Sequence, residues 1–393
     1  MQIDPRNSFD LTYCTNIHPG EDWSSVETTL REAGPILKAR LSPDKPFGLG
    51  LRLSARAARE AIDAGRIAPF RKFLDENGLY VAIINGYPYG EFHGAQVKDQ
   101  VFAPDWTNES RLNYTLDLLT VLSGLLPEGM DGGISTMPLS YKPWLRDAGN
   151  KEPDWKAIVT NLVRLTETMA QLHRDSGKLI HLDIEPEPDG LIENTGEVIA
   201  FFNDWLLPIG GPLLESPQLL SDHIRVCFDS CHIAVEYENP AVALARLQAA
   251  GIQIGRVQLS SALKVELPTK TGRLIPFADS TYLHQVIEDR GMCLHHYPDL
   301  PEALAAPAEP AAKEWRIHFH VPLFTTAYDG FQSTQEDVRA VLALAVRDGF
   351  TRHLEIETYT WDVLPAALKL DMLDSITREY EWVMAEIAAI PRK

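Results

Sequence analysis

At 393 residues, with 45% hydrophobic and 23% charged side chains, the chain has enough material for two or three average domains or for one long barrel. Its 55 acidic residues against 36 basic ones leave a net charge of −19, which disfavours a polyanionic partner, because each phosphate contact needs a Lys or Arg. No apolar run of about 18 residues occurs, and no basic region followed by an apolar core opens the N-terminus, so neither a membrane span nor a signal peptide is expected and the expected location is the cytoplasm.

Short apolar runs alternate with longer helical patterns, which argues for βα units around a parallel sheet. The first strand is expected over 9–17 and a helix over 23–41. A second strand covers 47–53, and Ser54 is placed to cap a following helix. The third, 79–84, runs into an aromatic, glycine-punctuated loop at 85–94, a type that carries binding groups on barrels. A helix over 110–126 and a strand over 133–138 follow, then a helix over 155–173. The fifth strand lies in 178–189, with a helix at 194–207 after it. The sixth strand is 225–229, Asn239-Pro240 opens the next helix, and the seventh strand is 254–260. The pattern predicts an α/β fold, a (β/α)8 TIM barrel running as a single domain over 1–393, elaborated by an insertion at 262–350 between strands seven and eight. Within the insertion, 304–313 reads as a surface linker and 315–321 as a strand, taken as part of the elaboration, with a place in the barrel itself as the alternative.

Two strands far apart in sequence share one pattern. In 178–189 (Lys-Leu-Ile-His-Leu-Asp-Ile-Glu-Pro-Glu-Pro-Asp), His181, Asp183 and Glu185 fall on one face and Leu182 and Ile184 on the other, and prolines then stop the ladder. His353-Leu354-Glu355-Ile356-Glu357 repeats the pattern near the other end of the chain. Barrel chemistry sits where strands end, so Glu185 and Glu357 are the candidate catalytic carboxylates. Asp183 and Glu355 lie about 7 Å deeper by strand rise and are read as supporting groups.

The sixth strand ends Cys-Phe-Asp-Ser-Cys-His. Asp229 falls at the mouth, with His232 one turn on, a carboxylate-plus-imidazole pair suited to Zn or Mn. On the seventh strand Gln258 offers a neutral oxygen. His318 and His320 are candidates to join the site, and Tyr87, Tyr89, His93 and Trp361 to wall it. The four cysteines, Cys14, Cys227, Cys231 and Cys293, form no disulfide framework or zinc-type pair. Dinucleotide, P-loop and serine-hydrolase motifs are absent.

This pattern resembles the xylose-isomerase-like TIM barrels, which include sugar isomerases and epimerases and the endonuclease IV branch. The resemblance implies a divalent metal (Zn, Mn or Mg) held by Glu185, Asp229, His232 and Glu357, with Gln258 where the family has histidine. More narrowly, 11–20 (Leu-Thr-Tyr-Cys-Thr-Asn-Ile-His-Pro-Gly), 87–93 (Tyr-Pro-Tyr-Gly-Glu-Phe-His), 97–106 (Val-Lys-Asp-Gln-Val-Phe-Ala-Pro-Asp-Trp) and 357–361 (Glu-Thr-Tyr-Thr-Trp) resemble the EboE-type metabolite traffic proteins, which implies a role in secondary metabolism. The expected function is isomerisation or epimerisation of a sugar-like, polyhydroxylated small metabolite, by proton transfer between two carboxylates. The alternatives are a metabolite-binding barrel with a degenerate site, which Gln258 favours, and a metal-dependent hydrolase. No nucleic-acid or membrane partner is expected, and self-association into a homo-oligomer is left open.

Overall fold

A computed structural model of the chain describes residues 1–3, 9–93, 96–149, 151–268, 271–328, 330–364, 366 and 369–391. Residues 4–6 of the N-terminus and Gly94 of the aromatic loop, both read above, lie outside the described residues. Seven strands come first: β1 (Asp10–Tyr13), β2 (Phe47–Arg52), β3 (Leu79–Asn85), β4 (Gly132–Thr136), β5 (Ile180–Ile184), β6 (Ile224–Asp229) and β7 (Ile254–Leu259). The insertion then contributes β8 (Leu263–Glu266), β9 (Val286–Asp289), β10 (Leu294–Tyr297), β11 (Glu314–Ile317), β12 (Ala327–Tyr328) and β13 (Phe331–Ser333). The last strand is β14 (His353–Ile356).

The first seven strands and β14 form one parallel sheet in the order β1-β14-β7-β6-β5-β4-β3-β2, with helices between its strands. A parallel bridge from Cys14 to Gly50 draws its two edges together, so the sheet curls into a (β/α)8 barrel. The helix starts follow local chemistry: the Ser54 side chain accepts from the Ala57 amide, and Asn239 caps the helix that Pro240 opens. No helix among the described residues is long and apolar enough to cross a membrane.

The insertion forms a second, antiparallel sheet in the order β10-β9-β11-β8-β13-β12. The 315–321 segment belongs there, because β11 pairs with β8 and β9, not with any barrel strand. The strand stops at Ile317, and the chain continues past it, held by bonds from the His318 amide to the Gln285 carbonyl and from the Val321 amide to the Ser261 carbonyl. Ser261 follows β7 directly, so this stretch hangs over the barrel mouth. The start of the expected linker at 304–313 is instead the end of a helix, Leu300–Ala305, because Asp299 caps it and Pro301 sits in its first turn.

Midway along the barrel interior lies a layer of buried charge. Arg256 Nε donates to Asp183 at 3.1 Å and its Nη1 to Glu355 at 3.1 Å, and all three side chains are fully shielded from solvent. Burial would raise the Asp183 carboxyl, but His181 and Arg256 outweigh it and hold it below its usual value. On Glu355 burial wins over Arg256, and the carboxyl is raised. The layer fits because its neighbours lack side chains: a Cβ on Gly50 would lie 1.7 Å from Glu355 Oε1, and one on Gly255 1.8 Å from Asp183 Oδ1.

A further buried acid sits on the inward face of the last helix, Met372–Ala389. Glu379 Oε1 accepts from Thr358 Oγ1 at 2.6 Å and from the Leu323 amide at 3.0 Å, yet burial pushes its pKa up from 4.5 to about 7. A raised acid favours the folded state below its unfolded pKa, and that stability drains away as pH rises through about 7. At about 1.4 kcal/mol per tenfold change in acidity, the cost above neutrality is roughly 3 kcal/mol. Glu379→Gln, whose amide oxygen can keep both hydrogen bonds, should therefore change stability little at pH 5 and raise it by about 1–3 kcal/mol at pH 8. Urea unfolding at the two pH values measures the difference, and equal effects at both would refute the assignment.

Candidate metal centre at the barrel mouth

The strand ends that the alternation placed together meet at the C-terminal mouth. One oxygen each from Glu185, Asp229 and Glu357 lies within 4.8 Å of the others, and all three residues are buried. Ions bound at about 2.1–2.2 Å space their ligands roughly 3–4.4 Å apart, so small rotamer shifts bring these oxygens onto one cation. Without a cation the cluster is strained electrostatically. Burial, then the Glu357 and Asp229 charges, push the Glu185 carboxyl well up; burial, then Asp229 and Glu355, do the same to Glu357.

Asp229 and Glu357 are each tied down through one oxygen. Asp229 caps the short helix Ser230–Val235: its Oδ1 accepts from the Cys231 and His232 amides at 2.7 and 2.9 Å and from Ser260 Oγ at 2.7 Å. Its Oδ2 is buried with no hydrogen-bond partner. Glu357 Oε1 accepts from Asn16 at 2.8 Å and Asn85 at 3.2 Å. Glu185 Oε2 is a further buried oxygen without a partner. Buried polar atoms are normally paired, so orphaned oxygens at one mouth mark a place where a ligand completes them.

Three imidazoles face the same space, each through Nε2. His232 Nδ1 lies 2.9 Å from the Pro186 carbonyl, His318 Nδ1 2.8 Å from Gln285 Oε1 and His320 Nδ1 3.1 Å from the Glu357 carbonyl. These acceptors assign the proton to Nδ1 and leave the Nε2 lone pair exposed inward, the usual device for orienting a metal-binding histidine. The Nε2 atoms of His232 and His318 are 3.1 Å apart, and that of His320 is buried without a partner. Two lone pairs at that separation repel unless a cation lies between or beside them. Burial, then its histidine neighbours, drive His318 well below the ordinary histidine pKa; burial, with His232 adding to it, takes His320 down to about 4, so these two rings stay neutral near neutrality. The donor atoms of Asp229, His232 and His320 form one group within 4.8 Å, and those of Cys231, His318 and His320 another.

The cleft above these groups is walled by Tyr87, Phe92, Tyr282 and Tyr359, with Lys98 and Glu187 at its polar side. Tyr87 donates to Glu187, whose other oxygen lies 3.5 Å from His318 Nδ1. Of the sequence candidates, Glu185, His232, His318 and Glu357 line this cleft, with Asp229 and His320 joining them through their grouped donor atoms. Gln258, in register with Asp229 and Glu355, does not line the cleft, and its Oε1 accepts from the Cys227 thiol at 2.8 Å. His93 Nε2 is 2.6 Å from the Asn16 carbonyl, behind the asparagine that holds Glu357. Tyr89 stacks edge-on against Tyr114 in a neighbouring surface groove, and Trp361 is buried in the core. Asn16, Asn85, Glu187 and Gln285 were not picked out from sequence. Asn85 had a usable signal, since it is a polar residue closing an apolar strand, whereas Asn16 lies in the 3-10 turn after β1.

No family model and no curated protein matches the chain. Solved structures do match. A xylose isomerase-like TIM barrel protein from Mycobacterium smegmatis in complex with magnesium is 12% identical, with 98% of each chain covered and a TM-score of 0.54. A xylose isomerase domain-containing protein from Salmonella typhimurium is 14% identical over 99% of both chains, at a TM-score of 0.48. An IolI protein with a bound zinc atom is 9% identical, over 98% of this chain and all of that one, at 0.49. In its fold the chain is a (β/α)8 TIM barrel, similar to that of the magnesium-bound protein.

Proposed function

We propose that the barrel is a divalent-metal-dependent isomerase or epimerase acting on a sugar-like, polyhydroxylated small metabolite. The observation that carries this reading is the convergence of the Glu185, Asp229 and Glu357 carboxylates with inward-turned imidazoles at the strand ends. Asp229 and His232, flanked by Glu185 and Glu357, would hold the ion. When bound, it polarises a substrate carbonyl and the adjacent hydroxyl. Glu185, whose Oε2 has no hydrogen-bond partner, takes the proton from the carbon next to that carbonyl, leaving an enediolate. Glu357, positioned by Asn16 and Asn85, returns a proton, from the opposite face for epimerisation. Water then moves the proton from Glu185 back to Glu357. The tyrosine-lined cleft above offers ring faces and a polar side to a monosaccharide-like substrate. The EboE-type stretches further suggest a secondary-metabolite substrate.

In deuterated water, ketoses incubated with the metal-loaded protein should exchange the proton next to the carbonyl, and Glu185→Gln, which removes the base, should slow this at least about 100-fold. A variant that kept both its ion and its exchange rate would refute the mechanism. Binding of the metabolite with no exchange in the wild type would favour a carrier. A metal-dependent hydrolase is the second reading, because the Cys231–His318–His320 group adds donors beyond the needs of one ion. Release of phosphate from a sugar phosphate, without exchange, would select it.

A further inference from the structure

The twin strand pattern has a member that the mouth does not use. His181 and His353 each stand four residues before a mouth carboxylate, about 13 Å down the strand. Both point into the barrel near its N-terminal end, and both are buried, at 0% and 1% exposure. There they meet Asp131, the residue just before β4. His181 Nε2 lies 3.8 Å from Asp131 Oδ2, and His353 Nε2 lies 3.3 Å from Oδ1. The three donor atoms fall within 4.8 Å of one another.

We infer that Asp131, His181 and His353 form a second divalent-metal site, of the zinc type, at the end of the barrel opposite the cleft. Three observations carry it. His181 Nδ1 lies 2.6 Å from Asp183 Oδ1, so a carboxylate orients the ring and turns its Nε2 toward Asp131. His353 Nδ1 is buried without a hydrogen-bond partner, and the Nε2 atoms of both rings, also buried, converge on the Asp131 carboxylate at 3.3 and 3.8 Å without good hydrogen-bond geometry. The spacing also fits, since tetrahedral bonds of about 2.0–2.1 Å hold ligands about 3.3 Å apart. Two imidazoles and one carboxylate are a zinc ligand set that leaves a fourth position for water, and Asp131, one-quarter exposed, opens the site to solvent. Arg225 Nη1, 3.8 Å from Asp131 Oδ2 and tethered through Nε to the Asp222 carbonyl, steadies the carboxylate from outside. β4, β5 and β14 supply the ligands, and β6 and β7 separate β5 from β14, so an ion here ties opposite walls of the barrel together.

The test uses the full chain and Zn²⁺, with Co²⁺ as its visible stand-in, in two backgrounds: wild type and Asp229→Ala, the latter disabling the mouth. Asp131→Asn should remove one equivalent of bound metal from each background, or weaken it at least tenfold, and should remove the corresponding Co²⁺ absorption band. His353→Gln should do the same. If that buried change prevents folding, the rim variant Asp131→Asn still decides. Unchanged stoichiometry and affinity in Asp131→Asn, or no uptake of either ion by the wild type, would overturn the inference. Loss of metal in Asp229→Ala alone reports on the mouth, so the two sites fail separately.

Discussion

Asp229→Ala is expected to remove one equivalent of divalent metal from the barrel mouth, weakening binding there by about 100-fold or more, and to abolish turnover. The size of the effect follows from the double duty of this carboxylate. Its Oδ1 anchors the helix that carries His232, and its unpartnered Oδ2 faces the oxygens of Glu185 and Glu357. Removing an outer partner of a metal ligand already costs about 10–100-fold in affinity, and removing the ligand itself costs more. The metal-free protein should respond differently. Losing the helix cap costs about 1 kcal/mol, while losing one of three crowded buried charges relieves repulsion on the other two. Metal-free Asp229→Ala should therefore melt close to the wild type, and its remaining mouth carboxyls should titrate nearer their ordinary range. Calorimetric metal titration and thermal melts with and without chelator measure both effects. Unaltered affinity together with a large loss of metal-free stability would make Asp229 a structural residue only.

Arg256→Leu should be the most destabilising single change in the barrel interior, by about 3–5 kcal/mol. The guanidinium is the cation bonded to both Asp183 and Glu355, and it also donates to the Ile84 carbonyl at 3.0 Å. Leucine would leave two carboxylates buried without it, and the carboxyls would have to take up protons. The loss should therefore be smaller at pH 5 than at pH 8. The triple change Arg256→Leu, Asp183→Leu, Glu355→Leu leaves no unpaired charge, although its bulk must be absorbed beside Gly50 and Gly255. Urea denaturation of Arg256→Leu across this pH range checks the prediction; a loss under about 1 kcal/mol, or one independent of pH, would rule out a stabilising role for the charge layer.

The barrel was legible because a parallel sheet leaves a strong record: apolar runs, helical patterns between them and polar residues at strand ends. Glu185 and Glu357 stood out for the same reason, since alternation assigns each residue a face. Pairing across the barrel leaves no such record. The bond from Arg256 to Asp183 spans 73 residues and that to Glu355 spans 99, and no local pattern shows that three strands aim these groups at one point. The insertion was harder still. His318 and His320 alternate as in a strand, yet the chain leaves the sheet at Ile317 and is held over the mouth by Gln285 and Ser261, contacts that only tertiary packing creates. Gln258 stood at the expected height on the expected strand, but its carboxamide oxygen is taken by Cys227 while imidazoles from the insertion occupy the mouth.

The donors of the mouth run from Glu185 to Glu357, and β14, which ends beside Glu357, is also the strand that pairs with β1. On a ribosome, nearly the whole chain would have to emerge before the final carboxylate arrived. Shutting the barrel and finishing the cation pocket are then a single event. A nascent chain halted anywhere ahead of β14 would have loose barrel edges and an incomplete grip on any ion, so metal loading would come last and would report that the fold is finished.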